Sequence, residues 1–429
     1  MRTRRATGGP TGSVLVVGAG AAGLAAARAL SVAGRQVTVV EARQRIGGRI
    51  ATDRAFASQP VELGAELLHG STITTWTLVD KTDAGSWPVG TAHERTLTGG
   101  WAPIGRSRAH LGVADDAPPP RSDEDVAGYL RRVGFVAPDL PAKAHMIDVD
   151  SEGLDRWSAA IVHEAGLLSP GAPQPDDHHL VGGYDELLAP LADGLDIRFE
   201  HEVVRIDHGE SGVEVVAEVN GERLTLAADA CVVTLPIGVL RAGTVEFVPP
   251  LPASKQHAIE ALGSGDAVKL LYRLPHDAFP AGMTMVDDPA LLPRGWWLAS
   301  REPHHSTGEQ VVVGWATGQQ ARQLLDAGPS ASLQTGLASL RQLVDDPTLT
   351  PVDAITYDWR ADPFAKGAYS YAPPGAEQAY DDLAAPTHDR LYWAGEATNS
   401  DDPMTVHGAL DSGWRAAQQL TGHTIAAPR

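Results

Sequence analysis

The feature that most constrains this chain is the run Val14–Arg49, where an apolar strand-like segment, three glycines and an alanine-rich stretch follow one another without interruption. Val14 to Val17 has the length and composition of a buried parallel strand, and Ala21 to Leu30 is a strong helix former stopped by Gly34. Gly18, Gly20 and Gly23 fall on the turn between them. The first glycine permits the tight turn, the second lets a pyrophosphate approach the backbone, and the third lets helix and strand pack closely. The helix N-terminus then receives the phosphates. Glu41 ends the next apolar run, where a carboxylate accepts hydrogen bonds from a ribose diol. Strand, helix, second strand and acid in this order imply a dinucleotide ligand, either NAD or FAD.

A chain of 429 residues implies two or three domains with ample core. Its hydrophobic content of 43% and charged content of 21% are ordinary for a globular protein. A formal charge of −20 argues against nucleic acid or an anionic membrane as partner and modestly favours cationic small molecules. No run approaches the ~20 apolar residues of a membrane span. The single cysteine, Cys231, lies in an apolar run and reads as a core residue. One cysteine excludes intramolecular disulfides and disfavours a thiolate metal site, so no metal is expected and a reducing cytoplasm is the natural home. Residues 1–12, which include Arg4-Arg5, read as a disordered leader.

Farther along, Val61 to Gly70 is strand-like, and residues 71 to about 175 read as an inserted helical region over a pocket, with helices at Asp123–Arg132 and Asp155–Glu164. Gly182-Gly183 leads into a helix, and Asn220-Gly221 joins two alternating runs as a hairpin. Ala230 to Leu235 reads as a buried strand returning to the nucleotide sheet. Between about 250 and 360 the pattern is that of an independent sheet with helices. Its strands are expected around Val268, Gly295 and Val311, and an amphipathic helix over Ser330–Val344. Leu391 to Thr398 and the small-residue helix Val406–Leu420 bring the chain back to the nucleotide-binding part. The fold class is thus α/β. A Rossmann-type FAD-binding domain of the GR2 kind is assigned to 13–75, 176–255 and 366–429, and a discontinuous α+β substrate-binding domain to 76–175 and 256–365.

Five widely separated segments resemble the flavin-containing amine oxidase family. They are Gly47-Gly48-Arg49 after Glu41, Thr234 to Leu240, Trp359 to Tyr371, Ala394-Gly395-Glu396, and Thr405 to Gly413. The resemblance covers most of residues 14–429 and is weakest between about 71 and 175. It implies FAD as the cofactor. The contacts it assigns to FAD fall on Gly18, Gly20, Ala22, Gly23, Glu41, Arg43, Gly48, Arg49, Gly64, Ala65, Glu66, Leu67, Val203, Trp359, Gly395, Glu396, Thr405 and Val406. Arg43 and Arg49 offer charge and bidentate donors to phosphate and flavin oxygens. Glu396 would accept from a ribityl hydroxyl. The helix beginning near Thr405 would turn its positive end toward the flavin edge that gains charge on reduction. Ala368 stands where monoamine oxidases carry the cysteine that binds flavin, which implies a noncovalent FAD.

The same resemblance assigns the chemistry. Lys269, inside an otherwise apolar strand, matches the family's lysine that holds a water near flavin N5 and assists oxygen; on composition alone it would be a solvated strand position. Tyr369 matches one wall of an aromatic cage for the substrate nitrogen, and Thr405 stands where monoamine oxidases have the second aromatic wall. His69 matches a histidine that contacts the substrate amine in animal-type polyamine oxidases. The implied reaction moves a hydride from the α-carbon of a neutral amine to the flavin, with hydrolysis of the imine and reduction of oxygen to peroxide. Its partners are a small-molecule amine and O2. An L-amino-acid oxidase, a carbon–carbon desaturase and a non-catalytic FAD-binding protein are the alternatives on this frame. Trp296, Trp297 and Trp315 are candidate pocket walls, with core packing the commoner role.

Overall fold

A computed structural model describes residues 12–71, 73–90, 92–96, 100–103, 113, 117–135, 156–164, 177–209, 212–288, 290–299 and 309–425. The leader assigned to residues 1–12 lies outside these, Gly12 excepted, as does Asp155; the helix expected at Asp155–Glu164 begins only at Ala159.

The strand Ser13–Val17 lies at the centre of a five-stranded parallel sheet. Gln36–Val40 and then Asp196–Arg198 flank it on one side, and Ala230–Val233 and then Leu391–Trp393 on the other. Successive side chains point to opposite faces. Val14 and Val16 therefore enter a core with the helices Ala21–Val32 and Val406–Thr421. Leu15 and Val17 enter a second core with a four-stranded sheet built from Glu202–Gly209, Gly212–Val219, Glu222–Ala228 and Glu246–Val248. Burial on both faces explains the unbroken apolar run. The two helices meet through small residues: a Cβ on Gly413 would stand 2.3 Å from Ala22 O. The expected hairpin forms, with Asn220 and Gly221 both at positive φ.

A separate seven-stranded sheet runs in the order Asp353–Thr356, Ala267–Leu274, Gln310–Thr317, Gly295–Leu298, Met285–Asp287, Ala92–Arg95, Trp101–Pro103. Val268, Leu270 and Tyr272 point to the side covered by the helices Gly318–Ala327 and Pro329–Leu343. Leu271 points the other way, into a cluster with Phe56, Val61, Trp297 and Val313. By the same alternation Lys269 shares the face of Leu271.

The region after residue 71 differs from the helical insertion expected of it. Its described residues include the helices Trp76–Thr82, Val126–Arg132 and Ala159–Glu164, but also strands. Ala92–Arg95 and Trp101–Pro103 extend the seven-stranded sheet, and Ser86–Pro88 pairs with His178–Leu180. These strands are three or four residues long, too short for alternation to declare them in sequence. Among the described residues no helix is long and apolar enough to cross a membrane.

Candidate active site

At the glycine turn, removal of side chains is what makes the geometry possible. Gly18 has φ +105, and a Cβ there would meet Thr234 Oγ1 at 2.5 Å; one on Gly23 would meet Gly18 O at 2.0 Å. Gly20 differs, because its nearest neighbour to such an atom is Gly47 O at 3.9 Å. The second glycine thus faces open space, as close approach of a pyrophosphate requires. The helix Ala21–Val32 has no side-chain cap at its start, which leaves the N–H groups of its first turn, Ala22 included, for an anion. Gly47 bridges to Gly20 and brings Gly48 to the same place.

Glu41 is buried and accepts from Ala19 N–H at 2.7 Å and Arg43 N–H at 2.9 Å. Each carboxylate oxygen has a second lone pair, so a ribose hydroxyl can still bond to it. Arg43 is held by Asp362 at 2.6 Å and lies over the Phe364 ring. Arg45, which the sequence did not single out, donates to the carbonyls of Ile46, Gly48 and Ile50 and so fixes the second glycine loop. Val203 is buried beside a register shift in its strand.

Arg49 and Glu396 gather the other segments expected at the cofactor. Arg49 Nη1 donates to Ala368 O at 2.8 Å and to Glu396 at 2.9 Å. Glu396 also accepts from Ser370 Oγ at 2.6 Å and from Met404 N–H at 3.1 Å. Gly395 has φ +129 with open space where a side chain would project. A cleft lined by Arg49, Thr234, Pro236, Glu396 and Thr398 lies here. Thr405 caps the helix Val406–Thr421: its Oγ1 accepts from Gly408 N–H and donates to Asp402 O. The hydroxyl is occupied by capping, while the first N–H groups of the helix, Val406 among them, keep no intrahelical acceptor. A glycine cradle, an uncapped helix start at Ala21, the first-turn N–H groups at Val406 and paired arginines and carboxylates together fit the phosphates, ribose and ring of FAD.

The segment Gly64–Glu66 lies against both halves. Ala65 N–H donates to Arg49 O, and a Cβ on Gly64 would stand 1.8 Å from that same oxygen. The Trp359 indole, buried, donates to Leu63 O at 2.9 Å. Leu67 pairs with His179 in a short antiparallel ladder. Lys269, only 5% exposed, reaches across and donates to Glu62 O, Gly64 O and Glu66 Oε2 at 3.1, 2.7 and 2.6 Å. It is therefore no solvated strand position. Glu62 is buried too, and burial pushes its carboxyl up to about 7 against the hydrogen bonds it accepts from Tyr184 N–H and Thr52.

Tyr369 is joined to the start of the lysine strand, since its carbonyl accepts from Gly265 N–H at 2.7 Å and Ala368 N–H donates to Gly265 O. His69, partly exposed, faces Asp177 across 3.3 Å. Trp296 is core, its indole donating to Pro293 O, whereas Trp297 donates to Glu66 Oε1 at 3.0 Å; Trp315 is half-buried opposite Lys269 on the next strand. Alternation alone separates Trp296 from Trp297, and that was the available signal for the second. His179, which the sequence did not single out, lies 3.4 Å from Glu66. Cys231 is buried and burial raises its thiol. No group of three or more metal-ligating side chains occurs among the described residues.

A family model described as flavin containing amine oxidoreductase matches residues 21–131 and 166–421. Polyamine oxidase 2 of Arabidopsis thaliana is 31% identical over 95% of this chain and 87% of its own length. A lysine-specific histone demethylase 1 homolog of Oryza sativa is 30% identical over 96% of this chain and 52% of its own. Among solved structures, a putrescine oxidase bound to putrescine superposes with TM-score 0.79 at 20% identity, covering 96% of this chain and 99% of that one. Cyclohexylamine oxidase from Brevibacterium oxydans gives 0.78 at 21%, with the same coverage. These two likenesses carry the fold.

Proposed function

This chain belongs to the flavin-containing amine oxidoreductase family, and on that premise we propose that it is an oxidase of di- or polyamine-like substrates, with O2 as acceptor and peroxide as product. It is an FAD-dependent enzyme that oxidises amines. When bound, FAD supplies the acceptor for the substrate's hydride and the reductant for oxygen. The five-stranded parallel sheet with its glycine turn serves as a Rossmann-type frame of the GR2 kind. Residues 13–75, 176–255 and 366–429 form the cofactor domain, and 76–175 with 256–365 the substrate domain.

The observation that carries this reading is Lys269, buried on the sheet face turned toward Gly64–Glu66. There a cation lies beside the segments that fit FAD. Tyr369 orients the neutral amine, and the short Thr405 leaves room for a substituted nitrogen. The half-exposed His69–Asp177 pair meets the amine chain, with the acidic member suited to a second ammonium. Ala368 offers no sulfur, so FAD is held noncovalently, and acid precipitation leaves the yellow colour in solution. A lone buried cysteine suits a reducing cytoplasm.

Peroxide release across polyamines, aromatic amines, N-methylated amines and amino acids tests the substrate class. Turnover with a diamine or polyamine is the expected result. Peroxide from amino acids alone would replace the reading with an amino-acid oxidase, and a yellow protein inert to all would leave only FAD binding.

A further inference from the structure

One buried carboxylate collects side chains from three separate segments. Glu66 Oε2 lies 2.6 Å from Lys269 Nζ; Glu66 Oε1 accepts from Trp297 Nε1 at 3.0 Å and stands 3.4 Å from His179 Nδ1. Glu66, Lys269, Trp297 and His179 are all buried, and His179 stacks on Trp87 with ring centroids 4.3 Å apart. An ammonium has three N–H donors. Those of Lys269 are matched one for one by Glu66 Oε2 and the carbonyls of Gly64 and Glu62.

Buried charges persist only when paired. Burial by itself would raise the Glu66 carboxyl, but the Lys269 ammonium, followed by His179, outweighs it and holds the group down at about 2. Glu62, on the strand that supplies one of the carbonyls, also faces this pair.

We propose that Glu66 is a positioning residue, the fixed counter-ion of Lys269, which ties the lysine to the Glu62–Glu66 segment and so sets the charge beside the flavin. This rests on FAD lying over that segment. Without the carboxylate the buried ammonium keeps only carbonyl partners, and burial favours its neutral form. Glu66 thus acts on oxygen chemistry through Lys269.

The test compares the visible absorption of bound oxidised flavin against pH in the wild-type holoenzyme, Glu66→Gln, Glu66→Asp, Lys269→Met and Glu66→Gln/Lys269→Met. Glu66→Gln should show a single-proton spectral step that the wild type lacks and the double variant loses. The rate of flavin reoxidation by oxygen should change about tenfold across the same step. Glu66→Asp keeps the charge and should keep the wild-type profile. Should Glu66→Gln fail to fold, Lys269→Met gives the reciprocal reading, a step that belongs to the unpaired Glu66 and vanishes in the double variant. Profiles of the single variants that superimpose on the wild type, or a step that survives in the double variant, would overturn the proposal. A flavin-free protein, or one that no amine bleaches, overturns the enzyme reading instead; a bleachable protein with unaltered pH profiles overturns the role of Glu66 alone.

Discussion

The Gly18–Gly23 turn and the Lys269 face of the seven-stranded sheet are built in opposite ways. At the turn the chain omits side chains, and neighbouring backbone fills the space: Gly23 already has Gly18 O where a Cβ would go. At the lysine the chain adds a charge to an apolar strand and must satisfy it with an oppositely charged side chain and two carbonyls from more than two hundred residues away. The first is a local solution fixed by sterics. The second is a long-range one fixed by electrostatics, and it is correspondingly exposed to single substitutions.

That contrast is broken most severely at the ion pair. Lys269→Met leaves the Glu66 carboxylate buried without its counter-ion, which should destabilise the fold by about 3–5 kcal/mol. It should also slow oxygen-dependent reoxidation by about a hundredfold or more, the scale of losing one electrostatic stabiliser. Denaturant titration of this variant and of Lys269→Met/Glu66→Gln should show most of the stability returning in the double variant while reoxidation stays slow. Parallel losses in both would deny the pairing.

Overpacking the turn comes next. Gly23→Ala forces Gly18 O to move and should cost about 3 kcal/mol, equivalent to a roughly hundredfold loss of FAD affinity if the strain falls on the bound state. Equilibrium dialysis measures it, and unchanged FAD affinity would remove the steric reading of the turn.

Glu62 sharpens the electrostatic side of the comparison. Its carboxyl rises from an ordinary 4.5 to about 7, chiefly through burial. A raised folded value means that the group's contribution is complete below 4.5 and is lost as pH climbs through 7. Glu62→Gln should therefore match the wild type in acid and exceed it increasingly toward neutrality, by up to about 3 kcal/mol. The Tm difference against pH reads this directly, and a difference flat with pH would contradict it. The smallest effect is Thr405→Ala, which removes a helix cap and should cost about 1 kcal/mol of stability with little change in amine KM.

Legibility in the sequence followed the same division. The glycine turn, both flanking strands, the helix and Glu41 lie within about thirty residues, and each is dictated by local rules. Lys269 was conspicuous as a charge in an apolar run, yet its buried environment depends on Glu66, 203 positions earlier in the chain. Trp297 reaches that carboxylate across 231 positions, and Arg43 finds Asp362 across 319. No periodicity in a strand announces such partners. The short strands at Ser86–Pro88, Ala92–Arg95 and Trp101–Pro103 were hidden for a related reason: they become strands by pairing with distant segments.

The most direct measurement mixes the purified holoprotein with a polyamine in the absence of oxygen and follows the visible flavin band, then admits air and measures peroxide. Loss of the band on adding the amine, followed by its return with one peroxide per flavin, is the predicted result. A band that no amine on the panel diminishes, or that returns in air without peroxide, would contradict an amine oxidase built on Lys269 and Tyr369.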